Sequence, residues 1–286
     1  MKTILVHLEE HDSVGAMLEA AWLVADRFKS HIEGLHVRHG APRLVPMGPE
    51  GAGLATTDLV ESVERVERTI GAHLREQFER FAGAHGIPLV EGIPMSDEPT
   101  ASFAELVAAG DEDLASRGRA FDLLVLGRPV QAAAGPRISA LEAALFESGR
   151  PVLVVPPEAP DAIGNRIMIA WNGSTETALT IAHGMPFLAG ASEILVLAVE
   201  EGMVAGPSAR DVATTLMRHG FPARFKQVSV GSRNAIGPTF LGVCAEEGFD
   251  LMLKGAYTQS RLRQMIFGGA TSHILGNATV PVLMAH

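Results

Sequence analysis

A seven-residue phrase occurs twice in this chain, and no other feature limits its fold as strongly. Phe121-Asp-Leu-Leu-Val-Leu-Gly127 returns 128 positions later as Phe249-Asp-Leu-Met-Leu-Lys-Gly255. Other pairs keep the same order. Pro151-Val152-Leu153 matches Pro281-Val282-Leu283, Ile4-Leu5-Val6 matches Ile167-Met168-Ile169, and Leu35-His36-Val37 matches Leu197-Ala198-Val199. His85-Gly86-Ile87-Pro88 matches His219-Gly220-Phe221-Pro222. The sequence therefore reads as two copies of one domain, 1–157 and 163–286, each near the usual size of about 150 residues. The offset between copies shrinks along the chain, which places an insertion in the first copy, at about 40–85.

Each copy alternates short β-branched runs with apolar stripes at helical spacing. In the second copy the spacing predicts strands near 166–171, 193–199, 224–230, 250–254 and 280–285. Helices are predicted near 175–189, 207–219, 236–247 and 269–277, the first capped by Ser174 and the third opened by Pro238. Runs such as Leu123-Leu124-Val125-Leu126 are apolar on successive residues, so both strand faces are buried, as in a parallel sheet flanked by helices. The expected fold is α/β: two tandem doubly wound, Rossmann-like domains. The last strand of each copy, Pro151 to Pro156 and Pro281 to Ala285, reads as a sheet edge. Edges invite pairing, so the two copies are expected to join edge to edge as an intramolecular pseudo-dimer. Within the insertion, a Gly- and Pro-rich stretch leads into a long helix, about 57–85. Its apolar stripe runs Val60, Val63, Val66, Ile70, Leu74, Phe78, Phe81 and serves either the core or a partner such as a second copy.

Composition excludes several function classes. Hydrophobic residues make up 47% of the chain and charged ones 20%, enough to bury two cores. The 23 basic residues are outnumbered by 33 acidic ones, with no basic run, which argues against nucleic-acid binding. No apolar run approaches the roughly 18 residues of a membrane span, and the apolar run at the start is too short for a secretory leader. The expected location is cytoplasmic, which the single cysteine, Cys244, also fits; that residue reads as packing rather than as a nucleophile.

Ligands of open α/β sheets bind beyond the carboxyl ends of the strands. In the second copy the segment from Gly255 to Thr271 closes with Gly268-Gly269-Ala270-Thr271 at the start of a helix. Free amides, glycines that permit close approach and a hydroxyl make this an anion site, with phosphate as its natural guest. Arg261 and Arg263 would add charge or stand as a solvated face.

The chain here resembles the universal stress protein family in a tandem form. The family's nucleotide-binding members carry a glycine, two residues, a second glycine, nine residues, then Gly-Ser or Gly-Thr. Gly255, Thr258, Gly268 and Gly269 keep that spacing. Thr258 replaces the second glycine, at a cost of about 1–2 kcal/mol if the backbone there is left-handed. Gly269 replaces the hydroxyl residue, while Thr271 matches a further Ser/Thr. The resemblance also implies Ala170, Trp171 and Asn172 at the end of strand one, Asn172 standing for an aspartate near the sugar. It further implies Val199 beside the base and Ala270 in the helix start. Implied ligands are ATP or another adenine nucleotide, with Mg²⁺ if ATP.

The first copy lacks the glycine pair, and its first loop, Leu8-Glu9-Glu10-His11-Asp12, would repel phosphate. It is expected to be structural. Histidines 31, 36 and 39 do not show ligand spacing, so no metal site is expected, and neither a Walker A loop nor a nucleophile elbow occurs. The expected function is a noncatalytic regulatory or protective stress response, with one vestigial or weak nucleotide site in the second domain. The alternatives are a nucleotide-gated switch with slow ATPase activity and a scaffold for unidentified protein clients. A homodimer through the edge strands or the 57–85 helix is the further assembly these elements allow.

Overall fold

The computed structural model describes residues 1–39, 57–92, 96–108, 110–129, 135–256 and 269–286. In the first half, β1 (Thr3–Leu8), α1 (Val14–Phe28), β2 (His31–His39) and α2 (Thr57–Ala84) are followed by β3 (Thr100–Ala108) and α3 (Glu112–Gly118). Then come β4 (Leu123–Gly127), α4 (Ile138–Glu147) and β5 (Val152–Val155). The second half runs β6 (Arg166–Trp171), α5 (Thr175–Leu188), β7 (Glu193–Val199), α6 (Ala209–Arg218) and β8 (Ala223–Val228). It closes with α7 (Ile236–Glu246), β9 (Leu251–Gly255), α8 (Gly269–Asn277) and β10 (Val282–Ala285).

All ten strands form one sheet in the order β3-β2-β1-β4-β5-β10-β9-β6-β7-β8. Numbered from its own first strand, each half reads 3-2-1-4-5, and all pairs within a half are parallel. The exception is the seam, where β5 and β10 run antiparallel with Leu153 opposite Leu283. The two edges expected to pair do pair.

The apolar residues fall into two layers, one on each face of the sheet, and both layers cross the seam. Ile4, Val6, Leu153, Ile167 and Leu283 face α1, α2, α5 and α6. Leu5, Leu124, Val154, Met252 and Met284 face α3, α4, α7 and α8. This alternation is the two-residue period of a strand buried on both sides. Arg27 of α1 extends the seam by donating to the carbonyls of Ile163 and Phe187, at 2.9 and 3.3 Å. The Phe28 and Phe187 rings meet edge to face at 5.2 Å.

Local chemistry explains where the elements depart from their expected limits. β8 stops at Val228, short of 230, because the next amides turn to a carboxylate: Val230 N–H and Gly231 N–H donate to Glu201 at 3.0 and 2.6 Å. α6 begins at Ala209 because Ser208 and Asp211 form a capping box. β10 begins after Pro281, which has no N–H for the ladder. In the insertion, α2 is 28 residues long where its counterpart α6 has 10. Its stripe divides: Leu74, Phe78 and Phe81 are buried, whereas Val66 is 55% exposed. Residues 40–56, with the Gly- and Pro-rich stretch, lie outside the described residues.

Candidate functional site

The carboxyl end of β6 leads into Asn172-Gly173-Ser174. The Asn172 carboxamide oxygen accepts from Ser174 N–H at 3.2 Å and from the Thr177 hydroxyl at 2.8 Å. Ser174 caps α5 as expected, its hydroxyl accepting from Thr177 N–H. Segment 203–207 lies over this loop. Val204 N–H donates to the Asn172 carbonyl at 2.8 Å, and a Cβ on Gly173, whose φ is +85°, would lie 2.8 Å from the Val204 carbonyl. Trp171 belongs to the α5/α6 layer, 3% exposed, with its indole N–H donating to Pro207 O at 2.9 Å. Ala170 and Val199 are buried in the opposite layer, beside Ile236 and Ile274.

Beyond β9, Gly255 is pressed against the first turn of α5, where a Cβ would lie 2.4 Å from Thr177 N. That contact, rather than a phosphate, already requires glycine. Thr258 and Gly268 lie outside the described residues, as do Tyr257, Arg261, Arg263 and Met265. At the start of α8, Gly269 has φ +80°, and among the described residues no atom lies within 4 Å of where a Cβ would be. A left-handed backbone there accounts for glycine where the family motif has a hydroxyl residue. Ala270 packs against the core, and the Thr271 hydroxyl points to a partner that the sequence reading overlooked.

That partner is Lys254. Its side chain is 8% exposed, and its ammonium donates to the Gly255 carbonyl and the Thr271 hydroxyl, each at 2.8 Å. Burial pushes its pKa down to about 8, while the Glu176 carboxylate pulls it back up. Glu176 sits in the first turn of α5, and its Oε2 is buried with no hydrogen-bond partner among the described residues. The missed signal was present in the repeat itself: Lys254 interrupts an interior strand at the place where the first copy has Leu126. Ala170 to Asn172, Gly255 and Ala270 to Thr271 therefore converge at the ends of neighbouring strands, with Lys254 linking the last two groups.

The first half treats the same place differently. Arg137, the N-cap residue of α4, receives no help from its own side chain; its backbone N–H donates to Glu9 Oε2 at 3.2 Å. The Arg137 guanidinium also bonds Glu9 and lies 3.1 Å from Asp111. Burial works against the Glu9 charge, but His7 and Arg137 outweigh it and hold the carboxyl below its usual range. Glu9 thus puts a carboxylate at the α4 start, where the end of a helix favours negative charge. Beside it, burial pushes His7 down to about 4.

Other candidate chemistry is spent on structure. His36 Nδ1 lies 3.1 Å from the Leu8 carbonyl, and the two ring nitrogens of His31 meet the Thr100 and Ser102 hydroxyls at 2.9 Å. Among the described residues no three His, Cys, Asp or Glu side chains could hold a metal ion, and no helix is long and apolar enough to cross a membrane. Burial pushes the Cys244 thiol up to about 12, which suits packing.

No protein-family model and no curated protein matches the chain. Solved structures do. A universal stress protein from Archaeoglobus fulgidus is 12% identical, with a TM-score of 0.68 over 99% of this chain and 97% of that one. A functionally unknown protein from Pseudomonas aeruginosa is 14% identical at a TM-score of 0.52, covering 100% and 92%. A putative universal stress protein from Pseudomonas aeruginosa is 13% identical at 0.50, covering 100% and 93%. The chain has the universal-stress-protein fold along its whole length.

Proposed function

We propose that this chain is a stress-response protein that binds one adenine nucleotide at the carboxyl edge of its second half, in a regulatory or protective role without turnover. The first half is its structural partner. One contrast carries the reading. The α4 start is closed by Glu9, whereas at the α8 start no atom of the described residues lies within 4 Å of a Cβ on Gly269, and Thr271 offers a hydroxyl. Mg²⁺ would accompany ATP. A cytoplasmic location and the absence of nucleic-acid partners belong to the same proposal, supported by the acidic balance of the chain.

A scaffold that works without nucleotide is the second reading. It is favoured by the 203–206 backbone lying over the loop that would meet the sugar. Calorimetric titration with ATP, with and without Mg²⁺, separates the two once the protein has been checked for copurified nucleotide. One site per chain supports the nucleotide reading, and no heat with no bound nucleotide supports the scaffold. Steady release of phosphate under the same conditions would move the chain to the slow-ATPase alternative.

A further inference from the structure

The Lys254 ammonium stands where electrostatics disfavours it. It bonds the hydroxyl of a residue in the first turn of α8, and the start of a helix carries the positive end of the helix dipole. It is also 8% exposed, so the charge has lost most of its water. The fold itself does not demand it, since Leu126 holds the matching place in β4. An ammonium has three N–H donors, and the Gly255 carbonyl and Thr271 hydroxyl take two. Among the described residues the third has no acceptor. Nearby, Glu176 Oε2 is a buried carboxylate oxygen without a partner, attracted to Lys254 but not bonded to it. A cation crowded against a helix start, with a spare donor, is stabilised by an anion that bridges the two.

The first half supports this by opposition. There a carboxylate, Glu9, is supplied from within the chain to the α4 start, and an arginine neutralises it. In the second half the charges are reversed: the cation, Lys254, is bonded at the α8 start, and the Glu176 carboxylate acts on it without a hydrogen bond.

We infer that Lys254 is the residue that selects for phosphate in the second-half site, with Glu176 as its internal competitor. This inference rests on the nucleotide reading above and deepens it. The ligand's phosphate takes the third N–H of Lys254 together with the Thr271 hydroxyl, and Glu176 opposes it by like charge. Ligands carrying phosphate are therefore bound in preference to the bare nucleoside, and the two side chains act on that preference with opposite signs.

The test titrates the full-length protein with ATP, AMP, inorganic phosphate and adenosine, for the native chain and for Lys254→Met and Glu176→Gln. Native protein is expected to prefer ATP and AMP to adenosine. Lys254→Met should weaken ATP and AMP about 10- to 100-fold, the loss of one charge-assisted hydrogen bond, while adenosine binding holds. Glu176→Gln should tighten ATP severalfold. A merely structural lysine would not produce opposite shifts confined to phosphate-bearing ligands. If Lys254→Met binds ATP as tightly as the native chain, the inference fails and the nucleotide reading stands. If inorganic phosphate binds in a Lys254-dependent way but ATP gains nothing from its adenosine, the nucleotide reading fails and the inference stands. Binding of none of the four ligands overturns both.

Discussion

Replacing Lys254 by methionine should make the protein more stable at neutral pH, and the amount follows from where the ammonium sits. Burial lowers its pKa from 10.5 to about 8. Each unit is worth 1.36 kcal/mol, so holding the charged lysine costs the native state about 3 kcal/mol. Methionine removes that cost but leaves the Thr271 hydroxyl and the Gly255 carbonyl without their donor, a loss of about 1 kcal/mol. The net gain is about 2 kcal/mol. The pH dependence provides a stricter check. Below pH 8 both folded and unfolded chains hold the proton, and the full cost is present. Between pH 8 and 10.5 the unfolded chain keeps a proton that the folded chain has released, so native stability rises with pH. Above 10.5 both states are neutral and the advantage of methionine is gone. Urea denaturation of both proteins from pH 7 to 11 measures this directly. A variant less stable than native at pH 7, or a difference that stays constant with pH, would refute the reasoning.

Three further perturbations probe the rest of the frame. His7 stays neutral down to about pH 4, whereas the unfolded ring takes a proton near 6.5, so this residue costs native stability as pH falls through that window. Going from pH 7 to pH 5 should cost the native protein about 2 kcal/mol more than it costs His7→Gln, read by denaturation at both pH values. Glu9→Ala should destabilise by about 1–3 kcal/mol by uncapping α4 and stripping Arg137 of a partner. Added phosphate should then raise the variant's melting temperature more than that of the native chain, and equal rises would show that Glu9 does not stand in for an anion. Gly255→Ala should destabilise more than Gly127→Ala, by about 1–3 kcal/mol. The new methyl at 255 meets the Thr177 backbone at 2.4 Å, whereas at 127 it meets the side chains of Pro136 and Met17. Thermal unfolding of the pair decides it.

Much of the architecture was legible because burial on both faces leaves a plain mark. Runs such as Leu123 to Leu126 and Ile167 to Ala170 have no polar face, which limits them to interior parallel strands, and the repeat shows that the same set occurs twice. The edge-to-edge seam was legible because the last strand of each copy is short and apolar and leaves one side unpaired within its own copy. The site was legible only in outline. Motif spacing marked Gly255 for phosphate approach, but its nearest constraint is the α5 backbone, a contact between segments some 80 residues apart in sequence. The Glu9–Arg137 pair joins residues 128 positions apart, and charge alone could not say that one carboxylate would turn inward to cap a helix. Lys254 was visible as a departure from Leu126, yet its meaning depends on desolvation, which a sequence does not display. The α2 stripe left core and partner surface open, and spacing alone could not say that the stripe's burial begins only at Leu74, with Val66 exposed before it.

The antiparallel seam has a geometric consequence. Strands on its two sides point in opposite directions, so the mouth of the first half and the mouth of the second open at opposite ends of the molecule. A symmetric pair would present two equal sockets, and turning it end over end would change nothing. Here the first-half end carries the Glu9 carboxylate at the α4 start and the second-half end carries the Lys254 ammonium against the α8 start, so the molecule has a front and a back. Under the proposed function, anything that reads the state of the second-half end approaches from one side only. Under the proposed function, the first-half end is left as a handle that looks the same whether or not the second-half end holds a ligand.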